Sequence, residues 1–466
     1  MEAPRIEDDG PIAMRDGRLW VEGISAAALA RQFGTPLYVV SEARLRANAR
    51  MWADALKHAW PYGPSVVMPS LKANTSIALR RILNDEGLGC DVFGRHEFEL
   101  ALLAGVRVEK ISVNGATKPD DVLALAIDRG AMLTLDSLDE IRRTEVIAQA
   151  AGKVAIVRLR LRPWLAASTA SSDFSGDSYP AHLAVQDYRA GMPFQDACES
   201  AVLGCASAHI DLAGVAAHVS RQTTDLSFWA AFGTDMSRQI EELRAAAPSW
   251  RPREIDLGGG FALPRDPAAR ALGGRDEAAA TPTPQEYLQA IVEPLDVGLR
   301  AQGLAPQDIT LQIEPGRAVY GDAGVHLTTV RNVKRQLEPV PRAWIETDTS
   351  EAFLADTYIE HNDWTIIAAE PTERDGEIDA AITGISCGWD ILSAPRTRPA
   401  YQVGDVLTFL DTGAYQDATA SNFNAMGRPA TILVSGDNAE IIKAAETFED
   451  LMARERIPAR LAGATV

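Results

Sequence analysis

The chain has 466 residues, of which 46% are hydrophobic and 23% charged, as in ordinary globular proteins. Its length allows two domains, or one large α/β domain with an appendage. The balance of 45 basic and 64 acidic residues gives a formal net charge of −19. This charge argues against nucleic acid or an anionic membrane as partner, because either needs a basic face.

The ends and the cysteines give a first indication of the compartment. The N-terminal residues are acidic and lack the apolar core of a signal peptide, and no apolar run approaches the ~20 residues of a transmembrane helix. The cysteines are scattered without metal-ligand spacing: Cys90, Cys198, Cys205 and Cys387. We therefore expect a cytoplasmic protein with free thiols and no metal site.

Strand and helix patterns alternate through most of the chain. A strand at 36–40 precedes a long amphipathic helix that begins after Ser41. Further strands are predicted at 65–68, 89–93, 111–114, 132–135, 154–161, 212–218, 254–257 and 310–314. Helices are predicted between them, at 77–86, 97–104, 119–129, 138–151, 193–208, 226–247 and 284–302. This repeat predicts a (β/α)₈ TIM barrel, with a doubly wound open sheet as the structural alternative.

The pattern changes after residue 315. Short strand-like segments separated by turns follow at 325–331, 343–346, 364–368, 378–385 and 406–410, which predicts an all-β second domain. The early strand at 36–40 has no place in the barrel, so we expect it to join this domain. The predicted domains are a barrel at 42–320 and a β domain formed by 1–41 and 321–466.

Polar residues stand where the predicted barrel strands end. They are Lys72, Asp91, Asn114, Asp136, Arg160, His218, Gly258–Gly260 and Glu314–Arg317. The carboxyl ends of barrel strands share one rim, so these side chains should converge. Taken alone, Lys72 is typical of a solvated loop and the triple glycine of a plain turn. Together with an imidazole and a carboxylate they form a coherent site, in which the glycines expose N–H groups that can hold a phosphate.

Several motifs resemble one enzyme family, from about residue 36 to 448. In chain order they are S-L-K-A-N at 70–74, C-D-V at 90–92, L-D-S-L-D-E at 135–140, A-H-V-S-R-Q at 217–222, D-L-G-G-G-F at 256–261, E-P-G-R at 314–317, C-G-W-D at 387–390 and D-T-G-A-Y at 411–415. The chain is similar to the pyridoxal-phosphate-dependent decarboxylases of the alanine-racemase-like fold, which act on diaminopimelate, ornithine and arginine. The resemblance implies a TIM barrel with a C-terminal β-sandwich or barrel domain that also takes the N-terminal strand.

The resemblance also implies roles for the rim residues. Lys72 would hold pyridoxal 5'-phosphate as a Schiff base, His218 would stack on the pyridine ring, and Glu314 would pair with the pyridine nitrogen. Residues expected to hold the phosphate are Gly258, Gly259, Gly260, Gly316, Arg317 and Tyr415. Asp91 and Arg160 are each interpreted in two ways, as a cofactor contact or as a member of a structural ion pair.

Other roles would come from the second domain of a neighbouring subunit, which implies a homodimer with shared active sites. Cys387 would reprotonate the α-carbon, although without the motif it would be read as a buried structural thiol. Candidate substrate contacts are Arg317, Asp356, Tyr358, Trp389 and Asp390. Asp356 and Asp390 suit a distal ammonium, whereas Trp389 suits a bulkier side chain.

Departures from the family pattern bear on the substrate. Diaminopimelate decarboxylases usually carry an acidic residue after the cysteine, and Gly388 stands there in this chain. They also carry an arginine in an R-P-A-L-Y segment, and this chain has L-A-D-T-Y at 354–358. We therefore expect decarboxylation of a D- or L-ornithine-like or lysine-like amino acid to its amine. The alternatives are diaminopimelate decarboxylation giving lysine, a specialised-metabolism substrate with a bulkier side chain, racemisation on the same fold, and a non-catalytic cofactor-binding regulator.

Overall fold

The computed structural model describes residues 10–165, 171–172, 179–263, 281–362, 364–371 and 376–461. Their contacts divide the chain into two units. The barrel unit is Leu45–Asp322, and the sheet unit combines the described parts of Met1–Arg44 and Ala323–Val466.

The barrel unit contains a parallel sheet of eight strands, numbered here barrel strands 1 to 8. In chain order they are Ser65–Val67, Cys90–Val92, Ile111–Val113, Met132–Leu135, Ala155–Arg160, Ile210–Ala216, Glu254–Asp256 and Thr310–Ile313. Each strand pairs with its neighbour in sequence, and strand 8 pairs with strand 1. The circle closes between strands 1 and 2, where the N–H of Gly89 donates to the carbonyl of Val67 over 2.9 Å. The predicted barrel is confirmed, and the open doubly wound sheet is wrong.

Helices separate the barrel strands, as their amphipathic patterns predict. They are Glu42–Ala59, Ile77–Asp85, Arg95–Leu103, Asp120–Arg129, Leu138–Ala151, Ala181–Asp187, Phe194–Ala206, Leu226–Ala246, Pro284–Ala301 and Arg317–Tyr320. Side-chain caps mark several starts: Ser137 and Asp225 accept backbone N–H groups, and Thr283 forms a capping box with Glu286. These short-range signals explain why the helix positions follow from the sequence.

The sheet unit contains a mixed sheet of nine strands around the long strand Gly324–Gln336. The first half of this strand pairs with Leu37–Ser41 and Val406–Leu410, and its second half with Arg342–Thr347. The remaining strands of this sheet are Ile366–Ala368, Glu377–Thr383, Ile391–Pro399, Ala430–Ser435 and Asn438–Lys443. The expectation that the N-terminal strand joins this sheet is therefore confirmed.

Smaller elements complete the sheet unit. An antiparallel sheet of Ile12–Arg15, Arg18–Val21 and Ile24–Ser25 is followed by the helix Ala26–Phe33. The short helices are Asp356–Ile359, Gln416–Thr419 and Phe448–Met452, with a 3₁₀ turn at Phe423–Ala425. Within the described ranges, none of the helices is both long and apolar enough to cross a membrane. All four cysteines have free thiols.

Candidate active site

An open cavity lies at the carboxyl ends of the barrel strands. Lys72, Asp91, Arg160, His218 and Glu314 all line it. Lys72 stands on the short 3₁₀ helix Leu71–Ala73, immediately beyond barrel strand 1. The structure thus brings together the predicted amine, imidazole, guanidinium and carboxylates at one rim.

Asp91 lies at the centre of barrel strand 2 and is 4% exposed. Its Oδ2 accepts a hydrogen bond from the hydroxyl of Ser70 over 2.5 Å. Its Oδ1 is buried without a hydrogen-bond partner among the described residues. Burial raises the pKa of Asp91, and the positive charge of Lys72 opposes that rise. This oxygen is therefore a buried, unsatisfied acceptor among the described residues, and Lys72 lines the same cavity.

Glu314 follows barrel strand 8 and accepts a hydrogen bond from the side-chain amide of Asn114. Burial raises the pKa of Glu314 well above its ordinary value, and the carboxylates of Asp256 and Asp91 raise it further. Asp91 and Glu314 both line the cavity, and Asp256 lies near enough to Glu314 to affect its pKa. A cationic group bound beside them would be stabilised by their combined charge.

A polar network beneath this rim centres on Arg158, which is fully buried inside the barrel. Its Nη1 lies 2.9 Å from Oδ2 of Asp256 and 2.5 Å from Oε1 of Gln312. Its other nitrogens donate to the hydroxyls of Ser112 and Thr134. Arg158 thus gives the buried carboxylate of Asp256 a cationic partner inside the barrel.

His218 is held by the glycine loop that follows barrel strand 7. The backbone N–H of Gly259 donates to Nδ1 of His218 over 3.1 Å, so the neutral ring carries its proton on Nε2. Burial lowers the pKa of His218 well below its ordinary value, and the nearby cations Lys72 and Arg160 lower it further. The ring is therefore a neutral imidazole at physiological pH.

Each glycine of the loop Gly258–Gly260 approaches another backbone too closely for a side chain. A Cβ on Gly258 would lie 2.5 Å from the carbonyl oxygen of Ala217, and one on Gly259 would lie 2.3 Å from that of Glu314. Gly258 and Gly260 also have left-handed φ angles of 65° and 101°. The loop thus brings bare backbone next to His218 and Glu314.

Two further predicted residues, Gly316 and Arg317, follow Glu314 after Pro315. Gly316 accepts hydrogen bonds from the N–H groups of Val319 and Tyr320 and so begins the short helix Arg317–Tyr320. Arg317 is 6% exposed. Its guanidinium is therefore almost fully buried one turn beyond the rim carboxylate.

Two ion pairs stabilise the rim from the outside. The guanidinium of Arg160 lies 3.8 Å from Oδ1 of Asp136, which also accepts the N–H of Gly191. The ammonium of Lys118, 1% exposed, lies 3.0 Å from Oε2 of Glu140. Arg160 therefore has the partner of a structural ion pair, and it also lines the cavity in which a cofactor contact is predicted.

The sheet unit holds the remaining predicted site residues in adjoining loops. Cys387 is exposed, and its N–H and Sγ both contact the side chain of Asn424. The carboxylate of Asp390 is 3% exposed and accepts the N–H groups of Glu351 and Ser386 over 2.6 Å each. These bonds hold the loop 384–390, and they favour a structural role for Asp390 over the predicted contact with a substrate amine.

Asp356 is hydrogen-bonded to Gln416, the residue that follows Tyr415 in the chain. The amide of Gln416 donates to Oδ2 of Asp356 over 2.8 Å, and Asp356 is 2% exposed. Tyr415 adopts a left-handed backbone conformation with φ 67°. Tyr358 and Trp389, in contrast, are 52% and 85% exposed. The two aromatic side chains are thus accessible, whereas the Asp356 carboxylate already has a buried partner.

Comparison with known proteins identifies the family. Residues 42–321 match the family model described as "Pyridoxal-dependent decarboxylase, pyridoxal binding domain". The chain belongs to this family. It is a pyridoxal-phosphate-dependent decarboxylase, and the predicted cofactor and enzyme class are confirmed.

Curated relatives span nearly the whole decarboxylase. It is 28% identical to the diaminopimelate decarboxylase of Archaeoglobus fulgidus, over 95% of this chain and 98% of the relative. It is 29% identical to that of Pseudomonas aeruginosa, with 95% and 98% covered. A crystal structure of diaminopimelate decarboxylase from Methanocaldococcus jannaschii in co-complex with L-lysine superimposes with a TM-score of 0.86 at 25% identity, covering 98% of this chain and 100% of that one.

Several residues that build the site of this decarboxylase were not predicted from the sequence. Arg158 is a charged residue in the middle of a mostly apolar strand, A-I-V-R-L-R, and that pattern is the signal that could have found it. Asp256 begins the quoted glycine motif but received no role. Asn424 carries no local signal, because its contact with Cys387 spans 37 positions of the chain.

Proposed function

We propose that this decarboxylase removes the α-carboxylate of an amino acid whose side chain ends in an ammonium group, such as D- or L-ornithine or lysine, and releases the amine. The observation that carries this proposal is the position of Leu354. It stands where diaminopimelate decarboxylases have an arginine for the distal carboxylate. Leu354 is fully buried in an apolar core with Val330 and Ile345. A second carboxylate on the substrate would lack that cationic partner.

Glu351 supports the preference for a distal ammonium. Its Oε1 lies 2.5 Å from the position that a Cβ on Gly388 would occupy. The carboxylate of Glu351 therefore fills the space beside Gly388, the residue that follows Cys387. Burial raises the pKa of Glu351, and the charge of Asp390 raises it further. An ammonium bound here would offset both effects and would lie beside the exposed ring of Trp389.

The barrel rim fits pyridoxal phosphate. The amine of Lys72 is placed to hold the cofactor covalently, and the bare backbone of Gly258–Gly260 with Gly316 and Arg317 suits its phosphate. A protonated pyridine nitrogen beside Glu314 would oppose the rise in the pKa of this carboxyl group. When bound, pyridoxal phosphate supplies an electron sink for the carbanion left by loss of CO₂.

The neutral ring of His218 is placed to stack on the cofactor, because the bond from Gly259 to Nδ1 fixes its orientation. Glu314 would hold a proton at the pyridine nitrogen, and Asn114 orients the carboxyl group of Glu314. Cys387 delivers a proton to the α-carbon after decarboxylation. Tyr415 adds a hydroxyl to the phosphate site, and Tyr358 and Trp389 line the side-chain pocket.

We further propose a homodimer in which the Cys387 loop of one copy serves the Lys72 site of the other. The exposure of Cys387, Trp389 and Tyr358 on the sheet unit supports such a role. Mixing inactive Lys72→Ala and Cys387→Ala variants should restore up to about a quarter of the activity, since half of the molecules become mixed dimers with one intact site. If the mixture stays inactive although the two variants are shown to exchange subunits, the proposal of shared active sites is contradicted.

A substrate panel tests the proposed specificity. CO₂ release is measured with the D- and L-forms of lysine and ornithine, with meso-diaminopimelate, and with norleucine as the uncharged control. We expect kcat/KM for one of the lysine or ornithine isomers to exceed that for diaminopimelate at least tenfold, about 1.4 kcal/mol. Glu351→Gln should raise KM for that substrate and leave norleucine turnover unchanged.

Diaminopimelate decarboxylation giving lysine is the second candidate. It is favoured by the names of the relatives, which are diaminopimelate decarboxylases over nearly the full length of the chain. A higher kcat/KM for meso-diaminopimelate than for any lysine or ornithine isomer would select this alternative.

A further inference from the structure

Asn424 contacts Cys387 at two atoms. The backbone N–H of Cys387 donates to Oδ1 of Asn424 over 3.0 Å, and Nδ2 of Asn424 lies 3.1 Å from Sγ of Cys387. Asn424 has a left-handed backbone conformation, with φ 57° and ψ 22°. Asparagine tolerates this conformation better than most residues, so the loop presents its short amide without a large backbone cost.

The backbone contact fixes the orientation of the Asn424 amide. A backbone N–H can only donate, so the amide atom facing it must be the oxygen. The NH₂ group is therefore the atom directed at the sulfur. It donates to the thiol or thiolate, and it stabilises the thiolate more because hydrogen bonds to charged acceptors are stronger.

We propose that Asn424 is a positioning residue for Cys387, which fixes its thiol and stabilises the thiolate that remains after proton transfer. The proposal rests on the proposed role of Cys387 as proton donor. A hydrogen-bond donor aimed at a charge that develops during the reaction lowers the barrier for that step. The backbone contact alone would only shape the loop, whereas the contact with Sγ acts on the thiol itself.

Asn424→Asp separates these two effects. It has the same shape and keeps an oxygen for the N–H of Cys387, but it places a second acceptor oxygen against the sulfur. At 3.1 Å the carboxylate would repel the thiolate, and the loss of the hydrogen bond to the sulfur would add to that repulsion. The variant should therefore hold the loop and disfavour the thiolate.

The test measures alkylation of Cys387 in the full-length enzyme loaded with pyridoxal phosphate. Iodoacetamide reacts with the thiolate, and peptide mass spectrometry gives the rate at each cysteine. Cys205, an exposed thiol in the barrel unit, serves as the internal reference. We expect Asn424→Asp to slow alkylation of Cys387 at least tenfold at pH 8 and to leave Cys205 unchanged.

Asn424→Gly is the second variant, since glycine accepts the left-handed φ and removes both contacts. It should slow alkylation less than Asn424→Asp does. Equal Cys387 rates in the wild type and in Asn424→Asp, with Cys205 as the reference, would overturn the proposal.

Kinetics distinguish this inference from the proposed function. Asn424→Asp should lower kcat and leave KM unchanged, because the thiolate forms only after the substrate has bound. If Cys387→Ala decarboxylates as fast as the wild type, the role of Cys387 as proton donor is wrong. The alkylation rates would still decide whether Asn424 controls the thiol.

Discussion

Replacing Arg158 with methionine tests how the barrel interior supports the active site. Arg158 is fully buried and pairs with Asp256 over 2.9 Å. Methionine fills much of the same volume, but it leaves the carboxylate of Asp256 buried without its cationic partner. Breaking a buried pair in this way costs about 3–5 kcal/mol. The free energy of unfolding should fall by that amount.

The assay is urea unfolding followed by the circular dichroism of the helices, most of which lie in the barrel unit. The matched control is the double variant Arg158→Met with Asp256→Asn, which removes both charges together. It should recover at least about 2 kcal/mol relative to Arg158→Met alone, because the unpaired charge causes most of the loss. A loss below about 1 kcal/mol for Arg158→Met, or no recovery in the double variant, would refute the reasoning.

Two further predictions concern single buried positions. Burial lowers the pKa of His326 in the sheet unit to about 3, from 6.5, so below pH 6.5 the unfolded chain binds a proton that the folded chain does not. Between pH 6.5 and 4.5 the free energy of unfolding of the wild type should therefore fall by up to about 2.7 kcal/mol more than that of His326→Gln. Urea unfolding at each pH measures both values, and an equal fall in the two proteins would contradict this prediction. Gly259→Ala places a Cβ 2.3 Å from the carbonyl oxygen of Glu314 and should destabilise the protein by about 1–3 kcal/mol and weaken cofactor binding in a titration. Gly94→Ala, whose Cβ meets nothing within 4 Å, is the control; equal effects of the two substitutions would refute the steric argument.

The barrel was predictable because its signals are local. Most strands are short and largely apolar and are followed by an amphipathic helix, and parallel strands that alternate with helices have few possible arrangements. The same logic placed Lys72, His218 and Glu314 at one rim, since they follow barrel strands 1, 6 and 8. The cavity that these residues line confirms their convergence.

Strands of the sheet unit were harder to predict. Ile391–Pro399 was missed because it contains two prolines, Pro395 and Pro399, which remove backbone donors. Among the described strands it pairs only with Glu377–Thr383, so the missing donors on its other side cost little. Ala430–Ser435 pairs with Leu37–Ser41, nearly 400 positions earlier, and no local pattern indicates such a partner.

The site contacts that escaped prediction also depend on distant partners. Arg158 meets Gln312 across 154 positions, and Asn424 meets Cys387 across 37. A motif identifies residues that lie close in sequence to the chemistry. It does not indicate which buried charged residue, such as Arg158, contacts the neighbouring strands inside the barrel.

The central claim is that the rim of Lys72, His218 and Glu314 binds pyridoxal phosphate through Lys72. The most direct measurement is the visible absorption spectrum during titration of the cofactor-free protein with pyridoxal phosphate. The wild type should develop the visible band of a protonated imine between the cofactor and a lysine, and Lys72→Ala should bind the cofactor without that band while its circular dichroism stays unchanged. The same band in Lys72→Ala would contradict the account.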